Sequence, residues 1–228
     1  MYSEYFIILT ALHKTKGMGI DMNVRSLFSL SYYKNNLKDY KNIIKIDYAF
    51  NASFRGQEEL SRKFMRGYEW KTIKAYRKFQ VNYNTIYRYY YAWKLHRLEQ
   101  KTGISFENNI NIGKGLIIGH WGKIVLNEKA EFGNQIFLTH GVTVGRDTRG
   151  KRKGVPKIGN RVCIRTNSTV VGNITVGDDV LIAPNTFVNF DVPSHSIVIG
   201  NPATIHHRND ATEGHLGIIE EKDNLSES

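Results

Sequence analysis

PKIGNRVCIRTNSTVVGNITVGDDVLIAPNTFV (156–188) places Ile158, Ile164, Val170, Val176, Ile182 and Val188 on every sixth residue. An upstream run does the same with Ile112, Ile118, Ile124, Ala130, Ile136 and Val142. Strands alternate with period two and helices repeat at 3.6, so neither produces an apolar residue at every sixth place. A six-residue unit does: a short strand and a tight turn forming one side of a triangular coil. Three units make a coil of about eighteen residues, and stacked coils bury the sixth-position side chains as a continuous ladder. Gly113, Gly119, Gly159 and Gly177 follow ladder positions, with Asn160 and Asp178 next. These types tolerate the left-handed backbone that tight corners need, which is the role expected of them.

The two runs are out of register. From Val142 to Ile158 is sixteen residues, not a multiple of six, so something interrupts the coil. RDTRGKRKGV (146–155) is polar and lacks ladder residues, and is expected to leave the coil as an exposed loop beside the functional site. Asp191-Val192-Pro193 and Asn201-Pro202-Ala203 mark the end of the prism, and the acidic tail EEKDNLSES is expected to fray.

Residues 1–102 read as helical, with apolar residues at helix spacing near 4–14, 36–46, 57–67 and 69–101 and breaks at Asn51–Gly56 and Gly67. Gly103 stands in the C′ place where a helix turns left-handed. The chain is thus expected to be α+β: a helical N-terminal domain (1–102), a parallel β-helix prism (103–205) with an excursion loop at 146–155, and a C-terminal tail (206–228). Of 32 basic and 21 acidic residues, 19 and 8 fall in residues 1–101, so the whole net charge of +11 belongs to the helical part. Such a block attracts polyanions, and a solvated helical surface is the plainer reading. Cys163 is the single cysteine, so no internal disulfide forms, which fits a reducing compartment and a filler role. The apolar stretch Tyr5–Leu12 is too short to span a bilayer and follows Glu4 in place of a basic segment. A cytoplasmic protein is expected, with peripheral contact at the inner membrane surface left open.

GKGLIIGHWGKIVLNEKAEFGN (113–134), VTVG (142–145), PKIG (156–159), VVGNITVG (170–177) and VPSHSIVIGNPA (192–203) together resemble the hexapeptide-repeat acyltransferases, within them the serine acetyltransferase branch. The resemblance implies a left-handed β-helix, a homotrimer or multiple of three, and acetyl-CoA as co-substrate in a groove between two prisms, with no metal. It maps the catalytic histidine onto His120, where an imidazole near neutral pKa removes the proton of an attacking hydroxyl. His140, in THGVTVG, and Trp121 are candidates to line the acceptor site. The CoA positions map to Gly145, Arg146, Lys157, Arg165, Ala183, Pro202 and Ala203.

Several residues depart from the branch's pattern. Ser105 stands where an aspartate would pair with the histidine, leaving Glu107 or a backbone carbonyl to orient His120. Gly119 replaces a second aspartate, and Gly154 and Val155 replace the Arg-His pair before Pro156-Lys157-Ile158. Those side chains would hold an amino acid's ammonium and carboxylate, and their loss removes charge-assisted hydrogen bonds. The acceptor is therefore expected to be a sugar hydroxyl of a surface polysaccharide or its precursor, with Trp121 stacking on the ring. Serine is the second reading. A trimeric polyanion-binding scaffold without catalysis is the third. No nucleic-acid partner is expected for an enzyme of this kind.

Overall fold

The computed structural model describes residues 30–106 and 110–217. The expected helix near 4–14, Glu107 and the end of the acidic tail lie outside them. Among the described residues four helices precede the strands: α1 (Leu30–Phe54), α2 (Arg62–Arg66), α3 (Tyr68–Val81) and α4 (Tyr87–Thr102). The segment read as continuous over 69–101 is broken at Asn82, whose side-chain amide donates to the Lys78 carbonyl while the Thr85 hydroxyl donates to the Asn82 carbonyl. Side chains that bond nearby backbone in this way compete with the helix. The expected helix at 57–67 shrinks to α2, started by the Ser61 hydroxyl accepting from the Phe64 amide. α4 closes on Gly103 at φ +69°, as expected.

The solenoid then climbs in coils of three strands. The first is β1 (Ile104–Phe106), β2 (Asn111–Ile112) and β3 (Ile117–Ile118). The second is β4 (Ile124–Leu126), β5 (Glu131–Phe132) and β6 (Ile136–Leu138), and the third β7 (Thr143–Gly145), β8 (Lys157–Ile158) and β9 (Val162–Ile164). The fourth is β10 (Thr169–Val171), β11 (Thr175–Val176) and β12 (Val180–Ile182). β13 (Phe187–Val188) and β14 (Ser196–Gly200) finish the prism, and β15 (Ala203–His207) returns antiparallel to β14. Stacked parallel strands make three sheets: β1-β4-β7-β10-β13, then β2-β5-β8-β11, then β3-β6-β9-β12-β14 with β15. The α+β architecture of helices followed by a parallel β-helix is as expected.

Register shows how the hexapeptide reading was incomplete. In the first sheet Ile104 pairs with Ile124, Val125 with Thr143, Thr143 with Thr169 and Thr169 with Phe187, steps of 20, 18, 26 and 18 residues. In this sheet the period therefore breaks twice. Eight extra residues lie between β7 and β8, in the loop the sequence indicated. Two more lie between β3 and β4, within Gly119–Lys123, and these were not expected. They were hidden because each strand turns two residues inward, two places apart: Ile124 and Leu126, or Ile136 and Leu138, all fully buried. A two-residue insertion moves the count from one inward row to the other, so Ile118 to Ile124 keeps its spacing of six while changing rows.

The corners also work differently from expectation. Asn160 and Asp178 are not left-handed; the following residues are, with φ +54° at both Arg161 and Asp179. The Asn160 and Asp178 side-chain oxygens accept the amides of Asn134 and Asn160 on the coil before, at 2.9 and 2.6 Å. Gly159 serves close approach, since a Cβ there would meet Asp178 Oδ1 at 2.4 Å.

The helices close one end of the prism through a buried ion pair. Asp47 on α1 accepts from Arg77 Nε on α3 at 2.7 Å and from the amides of Gly115 and Leu116 at 2.8 and 3.0 Å. Arg77 also donates to the carbonyls of Ile112 and Gly113. Both side chains are fully buried, and the extra bonds offset the desolvation that such a pair costs. The Tyr76 hydroxyl donates to the Ile110 carbonyl and accepts the Ile112 amide, and burial pushes its pKa up to about 12.

At the other end, Asp179 gathers the chain after β15. It accepts from the Ala211 and Thr212 amides, the Thr212 hydroxyl at 2.6 Å, and lies 3.0 Å from His195 Nδ1. Residues 208–217 thus return to the solenoid, and Leu216 joins Phe50, Ile117, Phe137, Cys163 and Leu181 in a second apolar cluster outside the third sheet. Cys163 is fully buried there, the filler role expected of it, and burial pushes its thiol up to about 12. No helix among the described residues is long and apolar enough to cross a membrane.

Candidate active site

His120 and His140 share one edge of the prism, where the third sheet turns into the first. His120 ends the first coil and His140 the second, both exposed, with ring centroids 6.1 Å apart and edge to face. Backbone bonds stack the corners: Gly141 N donates to Gly122 O at 3.0 Å, Asn167 N to His140 O at 3.1 Å, and Asn185 N to Thr166 O at 2.9 Å. The two-residue insertion belongs to this corner alone. It widens the turn that carries His120 and Trp121, while the same corner keeps one length in the coils below: Leu138 to Thr143, Ile164 to Thr169 and Ile182 to Phe187.

Trp121 is 50 % exposed and meets Tyr68, at the start of α3, edge to face at 5.9 Å. Its partner is therefore an aromatic of the helical part, a contact that no spacing in the sequence signals. Gly119 is held by close packing: a Cβ would lie 2.7 Å from the Phe137 ring and 3.1 Å from Thr139. The aspartate absent from this position is excluded by Phe137, a bulky residue facing out from β6.

The other candidates divide. Ser105 lies on the outer face of β1 opposite Val125, in a cleft of 620 Å³ shared with Trp93, His96 and Glu99. Among the described residues no hydrogen bond joins it to His120. Arg165 and Ala183 follow His120 and His140 down the same edge, and Pro202-Ala203 form the turn between β14 and β15 at its end. The Arg165 guanidinium stands 5.4 Å from the Phe137 ring, and the Ala183 carbonyl accepts from the Ser168 hydroxyl at 2.7 Å. Burial, then Arg165 and Arg208, hold His215 of the returning tail below its usual pKa. Gly145 and Arg146 lie at a different edge, between the first and second sheets. Lys157 points out from the second sheet, 3.7 Å from Glu131.

The long loop also leaves from that other edge, so within one chain it does not flank His120 as expected. It folds back on its own coils. Asp147 and Gly154 exchange backbone hydrogen bonds, Asn173 N donates to Arg152 O at 2.8 Å, and the Arg152 guanidinium donates to the Asn189 carbonyl. Gly154 has φ +145°, and a Cβ would sit 2.8 Å from that of Asn173, so the Arg-His pair of the branch has no room here. Among the described residues no group of three or more His, Cys, Asp or Glu side chains is placed to hold a metal ion.

This architecture matches solved serine acetyltransferases. The Neisseria gonorrhoeae enzyme in complex with serine superposes with a TM-score of 0.63 at 25 % identity, covering 79 % of each chain. The Vibrio cholerae enzyme reaches 0.66 at 21 % identity over 81 % of this chain and 74 % of its own. The fold is that of the serine acetyltransferases. In sequence, Helicobacter pylori serine acetyltransferase is 40 % identical over 102 residues, 45 % of this chain and 60 % of that protein. Arabidopsis thaliana serine acetyltransferase 2 is 36 % identical over 109 residues, 48 % of this chain and 34 % of that protein. The chain thus matches only about a third to three-fifths of these curated relatives' length. No protein-family model matches it.

These likenesses overturn the expectation of a polysaccharide acceptor, since each of these relatives is a serine acetyltransferase. Missing charged residues show that a pocket is built differently, and do not specify what fills it. Trp121, assigned to a sugar ring, already rests against Tyr68.

Proposed function

We propose that this chain is an acetyl-CoA-dependent serine O-acetyltransferase in which His120 is the general base. The observation that carries the reading is the widened corner, which sets an exposed imidazole opposite His140 on an edge lined by Arg165 and Ala183. His120 takes the proton of the serine hydroxyl as its oxygen attacks the thioester carbonyl. Backbone N–H groups along the edge stabilise the oxyanion. The imidazolium then returns the proton to the departing CoA sulfur, which leaves as free thiol. General-base help of this kind supplies about 10²–10⁴-fold. His140 lies where it positions the acceptor or the His120 ring.

Five coils at about 4.8 Å give the edge a length of roughly 19 Å, room for an extended donor chain. Arg165, Ala183, Pro202 and Ala203 are its proposed contacts. The assembly we propose is a homotrimer. The outer face of the first sheet carries Val125 and Phe187, 41 % and 37 % exposed, with the half-buried Thr143 and Thr169 between them. The second sheet instead presents Asn111, Glu131, Lys157 and Thr175. Packing a second copy on the apolar face brings its Gly145 and Arg146 toward the edge that holds His120. Purified protein mixed with acetyl-CoA and L-serine should release CoA thiol in proportion to O-acetylserine formed. Absence of serine-dependent release by the intact protein overturns the proposal.

A further inference from the structure

α3 and α4 carry a cluster of lysines that the proposed transfer reaction does not use. Lys71, Lys74 and Lys78 lie three and four residues apart along α3, so they share one face of that helix. The rest of the helix surface, with Trp70, Thr72, Ile73, Ala75, Tyr76 and Phe79, is buried. α4 packs alongside and brings Lys94 to the same place. Lys74 is at the centre: it is half-buried, and the ammonium groups of Lys78, Lys94 and Lys71 all act on it.

Among the described residues no carboxylate pairs with any of the four. Lys71 lies against the Tyr68 ring at 5.4 Å, and Lys78 against Tyr40 of α1 at 5.4 Å. The carboxylate that α1 places near α3, Asp47, is committed to Arg77. The crowding thus stands uncompensated. Burial first, then the three neighbouring charges, hold the Lys74 amine below its usual pKa.

A lysine beside other cations is the usual form of an activated amine nucleophile, because repulsion favours its neutral form. The same cations concentrate anions around it. We infer that Lys74 is a site of Nζ-acetylation by acetyl-CoA, a polyanionic thioester drawn to the lysine cluster. The neutral Lys74 amine attacks the thioester carbonyl, an amide bond forms as the carbon–sulfur bond breaks, and CoA departs as thiol with the amine's proton. The product holds three ammonium groups where there were four, which relieves the repulsion. The donor also lies close by on the proposed reading. Tyr68, in contact with Lys71, touches Trp121, next to His120.

The inference takes its donor from the proposed function, but its chemistry does not need His120. The test incubates the full chain with acetyl-CoA at pH 8 and follows each lysine by peptide mass spectrometry. Lys74 is expected to acetylate several-fold faster than the exposed Lys114 and Lys129. The Lys78→Gln/Lys94→Gln variant should lose most of that advantage, and His120→Ala should keep it. Acetylation of Lys74 no faster than of Lys114 and Lys129 overturns the inference, as does an advantage untouched by Lys78→Gln/Lys94→Gln. Serine transfer with an unreactive Lys74 removes this inference alone. A labelled Lys74 without serine transfer removes the proposed function alone.

Discussion

Two insertions of unequal size interrupt the solenoid. Eight residues inserted between β7 and β8 make a visible loop, yet that loop spends its hydrogen bonds on its own coils, from Asp147 to Asn189. Two residues inserted between β3 and β4 make no loop, and they set His120 opposite His140 and Trp121 against Tyr68. A long insertion can satisfy its own backbone and lie flat. A short one cannot, and must push its side chains outward. The length of an interruption is thus a poor guide to its chemistry.

The difference between the two breaks can be tested in steps. The largest effect should come from His120→Ala, with serine acetylation falling about 10²–10⁴-fold and the circular dichroism unchanged. Arg152→Ala, which only unpins the long loop, should cost less than about tenfold; equal losses would erase the distinction. Next is Asp47→Ala, which strands Arg77 and frees the Gly115 and Leu116 amides of the coil that ends in the short break. Urea unfolding should show a loss of about 3–5 kcal/mol. Gly154→Val, in the long break, forces a side chain to φ +145° and onto Asn173, and should cost about 1–3 kcal/mol without matching His120→Ala in activity.

The smallest effect lies outside both breaks. Burial alone would raise the pKa of Asp179, but hydrogen bonds from Thr212, His195 and Ala211 outweigh it and hold the carboxyl below its usual value. The unfolded chain then binds the proton more readily, so this contribution is complete above about pH 4 and fades as pH falls through the lower folded value. Asp179→Asn should flatten the acid limb of a stability curve and leave neutral-pH transfer unchanged.

Much of this architecture was legible because burial in a solenoid depends on position within six residues, and the ladder from Ile158 to Val188 states that directly. The long break was legible because it changes composition. The short one was not, because two inward rows lie two residues apart and Ile124 takes up the count in the other row. Reading the pairs Leu116/Ile118 and Ile124/Leu126 together, eight apart, would have exposed it. His120 is proposed from its local motif, whereas its surroundings depend on contacts far apart in sequence. Tyr68 reaches Trp121 across more than fifty residues, and Phe137 reaches Gly119 from the next coil. The acceptor was misread because it was inferred from residues that are absent.

The burial of Cys163 has a consequence at the bench. It is the chain's one sulfhydryl, fully enclosed, and burial pushes its pKa up to about 12, away from the reactive thiolate. A colorimetric thiol reagent added to the folded protein should register no background from the polypeptide. If the proposed transfer takes place, every equivalent the reagent reports is CoA released from its thioester, and the reaction can be followed continuously in native protein.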